Sequence, residues 1–214
     1  MFNPGYKNRV IQNMSKKIYK ADRTKLFIIE SVAEVFNKKG YAGTSMADVE
    51  VITGLSRGGI YAHFKNKETL ALAVFDYNLS KLCSVIQNRI KKTCSAADKL
   101  LVYARVYKAL AEDSVILGGS PILNTGSEAD DTNSLLRERV AEASFKWQQL
   151  MILLIEEGKR SGEFKSDVDA SQMAFSMLSL IEGGLLLARL TKDQSRMEQI
   201  LDAYQQMIRA NMVR

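Results

Sequence analysis

Apolar residues recur every three or four positions along most of the chain, a spacing that predicts helices rather than strands. The first stripe, Leu26, Ile29, Val32, Ala33 and Phe36, predicts a helix over Thr24–Lys39. Lys38, Lys39 and Gly40 close it, since cations complement a helix C-terminus and glycine lets the chain turn away. Thr44 or Ser45 caps a short second helix to Thr53, and Gly54 turns the chain into a third over Ser56–Phe64. Asn66 caps a long fourth helix, about Lys67–Lys92. Further helices are predicted over Ala96–Ser114, Thr132–Lys159, from Asp167 or Asp169 to Lys192, and over Ser195–Met212, with Gly118-Gly119-Ser120-Pro121 as a break. No window reads as a strand bounded by turn signals. The predicted class is all-α, with an N-terminal three-helix helix-turn-helix domain and a larger helical domain after it.

Composition fits this picture. Two prolines, Pro4 and Pro121, leave more than a hundred residues between them free for long helices. Charge adds a function. The net charge is +6, but residues 1–67 hold 12 Lys and Arg against 5 Asp and Glu, while the rest of the chain balances at −1. A basic first third points to a polyanion partner, or to a solvated basic face. Residues 1–22 read as a flexible basic arm able to lie along DNA, or as an inert tail. They contain no apolar run, so no signal peptide is expected and the cytoplasm is the expected location. The most apolar stretch, Met173–Leu190, carries Glu182 at mid-length, which would cost roughly 2.5–3.5 kcal/mol in lipid. It predicts a buried helix and no membrane partner. Cys83 and Cys94, if on one helix, stand roughly 16 Å apart along its axis, too far for a disulfide. They read as reduced thiols or, less simply, as a redox pair between subunits. One histidine and two cysteines give no metal cluster, and no cofactor is expected.

The segment from Thr44 to Lys67 carries the functional signal. Met46, Val49, Ile52, Leu55, Ile60 and Phe64 can point inward and fix two short helices against the first, leaving the third to enter a major groove. Ser56, Arg57, Gly58 and Gly59 begin that third helix. Arg57 can reach a guanine edge or a phosphate, and the two glycines permit close approach. Thr44, Ser45, Tyr61, His63, Lys65 and Lys67 are donors suited to the duplex backbone.

These residues resemble the TetR (tetracycline repressor) family of bacterial transcriptional regulators. The resemblance rests on Phe36-Asn37-Lys38-Lys39-Gly40-Tyr41, Thr44-Ser45-Met46, Thr53-Gly54-Leu55-Ser56-Arg57-Gly58 and Ile60-Tyr61-Ala62-His63-Phe64-Lys65-Asn66-Lys67, and covers residues 23–75. Glu50 departs from the small apolar residue expected after Val49. Gly118-Gly119-Ser120-Pro121-Ile122-Leu123-Asn124 looks like a Gly-Gly-Cys-Pro stretch in one branch, with Ser120 where cysteine would stand. The resemblance implies a DNA-binding domain over residues 23–67 and a helical ligand-binding and dimerisation domain over 68–214. It also implies a homodimer on a palindromic double-stranded DNA operator, released by a small-molecule effector; repression is the usual family outcome. Dimerisation is expected through the last two long helices, using Met173, Met177, Leu180, Ile181 and Leu185 on one and Ile200, Leu201, Tyr204 and Ile208 on the other, with Gly183 and Gly184 allowing close approach. Burial of these stripes inside one chain is the alternative. Tyr103, Tyr107, Phe145, Trp147, Met151, Phe175 and Met177 are candidates for a largely apolar effector pocket, or plain core.

Two other functions fit parts of the sequence. Gly54-Leu55-Ser56-Arg57-Gly58 matches the pattern of a hydrolase nucleophile elbow, but that motif needs a strand before the serine and a histidine late in the chain. Here a helix precedes Ser56, and the single histidine, His63, follows closely, so no enzyme activity is expected. An architectural DNA binder would suit the basic charge but not the long near-neutral remainder. A small-molecule-binding helical protein with weak DNA binding would not need Arg57, Tyr61, His63 and Lys67 together.

Overall fold

The computed structural model describes the backbone of residues 4–213 and the side chains of residues 21–213. The helices are α1 (Pro4–Lys39), α2 (Met46–Thr53), α3 (Arg57–Tyr61), α4 (Lys67–Ile90), α5 (Ala96–Ala111), α6 (Pro121–Ala129), α7 (Ser134–Ser161), α8 (Ala170–Thr191) and α9 (Ser195–Asn211). Among the described residues the extended structure is one isolated bridge between Phe164 and Val213. The all-α expectation holds. The basic arm expected over residues 1–22 lies for the most part outside the described side chains. Helix α1 begins at Pro4 rather than at Thr24; proline suits a first helical position, where no amide partner is lost. Helix α6 begins at Pro121, the last residue of the predicted break. Its signature is local: Ser120 caps it by accepting from the Leu123 amide, and Pro121 takes the first turn.

The chain divides into two compact units, one up to Tyr77 and one from Asn78, with the division inside α4. In the first unit Ile28, Val32, Ala33 and Phe36 of α1 are buried with Val49, Ile60, Phe64, Leu70 and Val74. Of the expected core residues, Ile29, Met46 and Leu55 are half-buried and two are exposed. Leu26 is 48% exposed and Ile52 is 41% exposed. The α1 stripe runs 28, 32, 36, so Leu26 falls on the far side, and the eight-residue α2 buries only the narrow face of Val49 and Thr53.

In the second unit α5 is the central helix. Leu100 through Ala104, Val106, Tyr107 and Leu110 are all buried, as befits a helix covered on several sides, here by α7, α8 and α9. Ser95 caps it locally by accepting from the Asp98 amide, and its first two amides, of Ala96 and Ala97, donate to the two oxygens of Glu163 at 2.7 and 2.8 Å, so part of the cap comes from beyond the end of α7. Helices α7 and α8 also meet, and Gly184 of α8 lies against α9: an added Cβ would stand 2.5 Å from Ile200 Cγ1. Helices α4 and α8 are long and apolar enough to cross a membrane by length and composition. Helix α8 instead buries Ala174, Met177, Ile181, Leu185 and Ala188 in the unit's own core.

Most of the stripe expected to face a second subunit is therefore internal: Met177, Ile181, Leu185, Tyr204 and Ile208 are buried within the chain. The apolar residues that α8 exposes are Phe175, Leu186, Leu187 and Leu190, together with Gly183, which has open space where a Cβ would stand. Period and composition reveal that α8 has two apolar sides but not which one its own chain covers.

Candidate nucleic-acid interface and ligand cavity

Local chemistry dictates the shape of the two short helices. Ser45 caps α2 by accepting from the Asp48 amide, while Asp48 accepts from the Ser45 amide at 2.8 Å and its hydroxyl at 2.6 Å. Those bonds hold the Asp48 carboxyl below its ordinary range. At the other end Thr53 donates to the Val49 carbonyl and accepts from the Leu55 amide. Gly54 then adopts φ 67°, a left-handed conformation that a side chain would strain, and its amide closes on the Glu50 carbonyl at 2.9 Å. Ser56 caps α3 by accepting from the Gly59 amide. Serine, glycine and serine thus fix where α2 ends and at what angle α3 leaves.

Only Ile60 of α3 is buried. Arg57, Gly58 and Tyr61 face solvent, and Gly58 has open space where a side chain would begin. Arg57 is not loose: its Nε donates to Glu50 Oε1 at 2.7 Å, joining α3 back to α2 and raising the guanidinium pKa further. Ser45, Ser56 and Lys65 are exposed and His63 is half-buried. Three of the expected backbone donors are engaged by the protein, the Ser45 hydroxyl with Asp48 and two others. Thr44 is buried and donates to the Gly40 carbonyl at 2.8 Å. The Lys67 ammonium donates to the carbonyls of Tyr41 and Thr44 at 2.6 and 3.0 Å and lies 4.1 Å above the Tyr41 ring. A cation among acceptors and over an aromatic face pins the α1–α2 loop to the start of α4.

The second unit holds a cavity of about 280 Å³. Helix α4 supplies Cys83, Ile86, Gln87 and Ile90, with Lys91 just past its end; α5 supplies Tyr103, and α7 supplies Trp147 with three leucines. Tyr103 and Tyr107 both meet Trp147 edge-on, with ring centroids 5.9 and 6.1 Å away. Burial pushes Tyr103 up to about 12 and raises the Cys83 thiol, which is thereby kept protonated and weakly nucleophilic. Of the seven expected pocket residues, Tyr103 and Trp147 line this cavity. Tyr107, Met151 and Met177 are buried outside its lining, and Phe145 and Phe175 are exposed.

Tyr107 does a different task. Its hydroxyl donates to Glu182 Oε1 at 2.5 Å, and Ser120 donates to the same oxygen at 3.1 Å. Glu182 Oε2 is buried and unpartnered, as is the Tyr204 hydroxyl. Burial raises the Glu182 carboxyl to about 7, against the lowering effect of its two donors.

Residues 28–74 match the family described as bacterial regulatory proteins, tetR family, and residues 96–204 match the tetracyclin repressor-like C-terminal domain. The chain belongs to the TetR family. A TetR-family regulator from Cytophaga hutchinsonii is 39% identical, superposes with a TM-score of 0.88, and the match covers 91% of this chain and 98% of that one. The fatty acid metabolism regulator protein of Bacillus subtilis is 28% identical over 155 residues, 71% of this chain and 77% of its own. The HTH-type transcriptional regulator TtgR of Pseudomonas putida is 27% identical over 168 residues, 76% and 79% respectively. The chain is a helix-turn-helix transcriptional regulator, and the two units carry the family's two parts. Within this TetR-family protein, sequence reasoning did not find the Glu50 bond to Arg57, the Tyr41 seat of Lys67, or the α4 wall of the cavity. Glu50 was visible only as an odd acid. The α4 residues had a signal, a polar Gln87 and Lys91 at helical spacing from Cys83, but nothing to say which face was covered.

Proposed function

We propose that this TetR-family protein is a homodimeric repressor that binds a palindromic operator through α3 and releases it when a small, largely apolar molecule enters the cavity. The observation that carries the reading is the capped α2–turn–α3 unit, which presents Arg57, Gly58 and Tyr61 outward while Ile60 anchors the helix. Residues 23–67 form the DNA-binding part and residues 68–214 the effector-binding and dimerising part. Arg57 reads a base edge. Ser45, Ser56, Tyr61, His63 and Lys65 line the phosphates, with Gly59 leaving room beside them, while Thr44 and Lys67 hold the loop behind them.

The exposed face of α8, Phe175, Leu186, Leu187 and Leu190, supports pairing with a second copy, since a lone protomer would leave that apolar patch in water. A dimer places two recognition helices at half-sites roughly 34–36 Å apart. The effector acts on α4. That helix lines the cavity with Cys83, Ile86, Gln87 and Ile90, and its beginning carries Leu70 and Val74 of the DNA-binding core. A molecule that binds better when α4 has shifted moves the half-site spacing away from the operator.

Selection of bound duplexes from a randomised pool at about 150 mM salt tests the reading, because phosphate-only binding is weak there. An enriched palindrome is expected. Salt-sensitive binding with no enriched sequence would replace the repressor by an architectural or ligand-sequestering role.

A further inference from the structure

Neither helix needs the ion pair between α2 and α3 for its ends, since Ser45, Gly54 and Ser56 supply the caps. The pair also sets an acid beside the surface offered to DNA, where a carboxylate repels phosphate. Its geometry gives it another use. Glu50 takes Nε of Arg57, and the terminal nitrogens Nη1 and Nη2 carry no hydrogen bond among the described residues. Those two nitrogens are the fork that matches O6 and N7 of guanine. The backbone of Glu50 is fixed, because its carbonyl accepts the Gly54 amide of the turn, and its carboxylate is held by the bond to Arg57 Nε. Gly58, open where a side chain would begin, allows the backbone beside Arg57 to come close to the groove.

We propose that Glu50 is a specificity-determining residue that clamps Arg57 so that its two terminal nitrogens read the guanine of one base pair in each half-site. The pair is electrically neutral, so Arg57 adds little to the attraction for DNA of any sequence, and its contribution is confined to the base it faces. This inference rests on the operator-binding reading above. A free arginine at the same place would instead swing to the nearest phosphate and strengthen binding to all sequences alike.

The test compares the full-length protein with E50Q, R57A and the double variant on the selected operator and on duplexes changed at each position, over a range of salt. R57A is expected to flatten the preference at one base pair of each half-site by about tenfold or more. E50Q is expected to flatten the same base pair by about tenfold, to bind random duplex more tightly, and to steepen the salt dependence by roughly one released counterion. The double variant is expected to show no further loss at that base pair than R57A alone. Thermal unfolding of E50Q, unchanged within a few degrees, separates this effect from damage to the fold. Full preference retained in E50Q, or a uniform loss over all sequences in R57A, overturns the inference while leaving the regulator intact. A wild-type protein that enriches no palindrome overturns the operator-binding reading and this inference with it.

Discussion

Two charged side chains, Glu182 and Lys67, illustrate how single residues set the properties of the two units. Glu182 holds a proton more tightly in the folded protein, at about 7, than the ordinary 4.5 of an unfolded chain. Between those values the folded state binds more protons, so stability falls as pH rises. The contribution is fully present below about 4.5 and lost by the time pH passes 7, a change on the order of 3 kcal/mol. E182Q cannot ionise. Urea unfolding at pH 5 and pH 8 is expected to show the variant gaining on the wild type by that order as pH rises; a constant difference would mean that Glu182 does not titrate there. Lys67 works in the opposite way, as a cation satisfied by two carbonyls. K67M is expected to destabilise the DNA-binding unit by about 1–3 kcal/mol, because the Tyr41 and Thr44 carbonyls lose a charged donor. Denaturant unfolding measures it, and the same variant should bind the operator less well through a loosened α1–α2 loop.

At the scale of elements, two neighbouring glycines of α8 have opposite surroundings. Gly184 presses on Ile200, and Gly183 has nothing within 4 Å of an added Cβ. G184A is expected to force α8 from α9 and cost about 1–3 kcal/mol. G183A is expected to leave the protomer fold unchanged or stabilised by up to about 1 kcal/mol through helix propensity, any cost falling on the pairing of two copies through that face. Thermal unfolding of both at equal protein concentration separates them. The sequence treats this pair as one feature, which shows where its information ends. Helix existence was legible for α1 through α5 and α7 through α9 because apolar period, caps and glycine stops agree. Helix α6 was missed because Gly118-Gly119-Ser120-Pro121 reads equally as a break and as a cap. Facing was harder: Leu26 and Ile28 are both apolar, and only the packing of α1 decides that Ile28 is inside. The candidate interface was legible at Ser56, Arg57 and Gly58, whose local roles follow from neighbours in sequence. Lys67 and Tyr41, or Tyr107 and Glu182, meet across many residues, and no local pattern announces them.

For the whole molecule, the exposed face of α8 makes a claim about assembly. Leu187 and Leu190, 53% and 71% exposed, can take a charge without entering the protomer core. The double variant L187K/L190K is expected to keep the helical content and unfold as the wild type does at the protomer level, yet to sediment as a monomer and lose the operator. A variant that remains dimeric would place the second copy elsewhere. The cap on α5 has a further meaning, one concerned with time. Ala96 and Ala97 receive Glu163 from 67 and 66 residues further along the chain. During synthesis Ser95 can cap the Asp98 amide at once, but the Ala96 and Ala97 amides stay open to water until the end of α7 brings their carboxylate. Such a late, distant contact contributes little to the folding nucleus and acts mainly as a brake on unfolding. Hydrogen exchange at those two amides would follow the departure of α7 from α5, the moment at which the regulator's ligand-binding half begins to come apart.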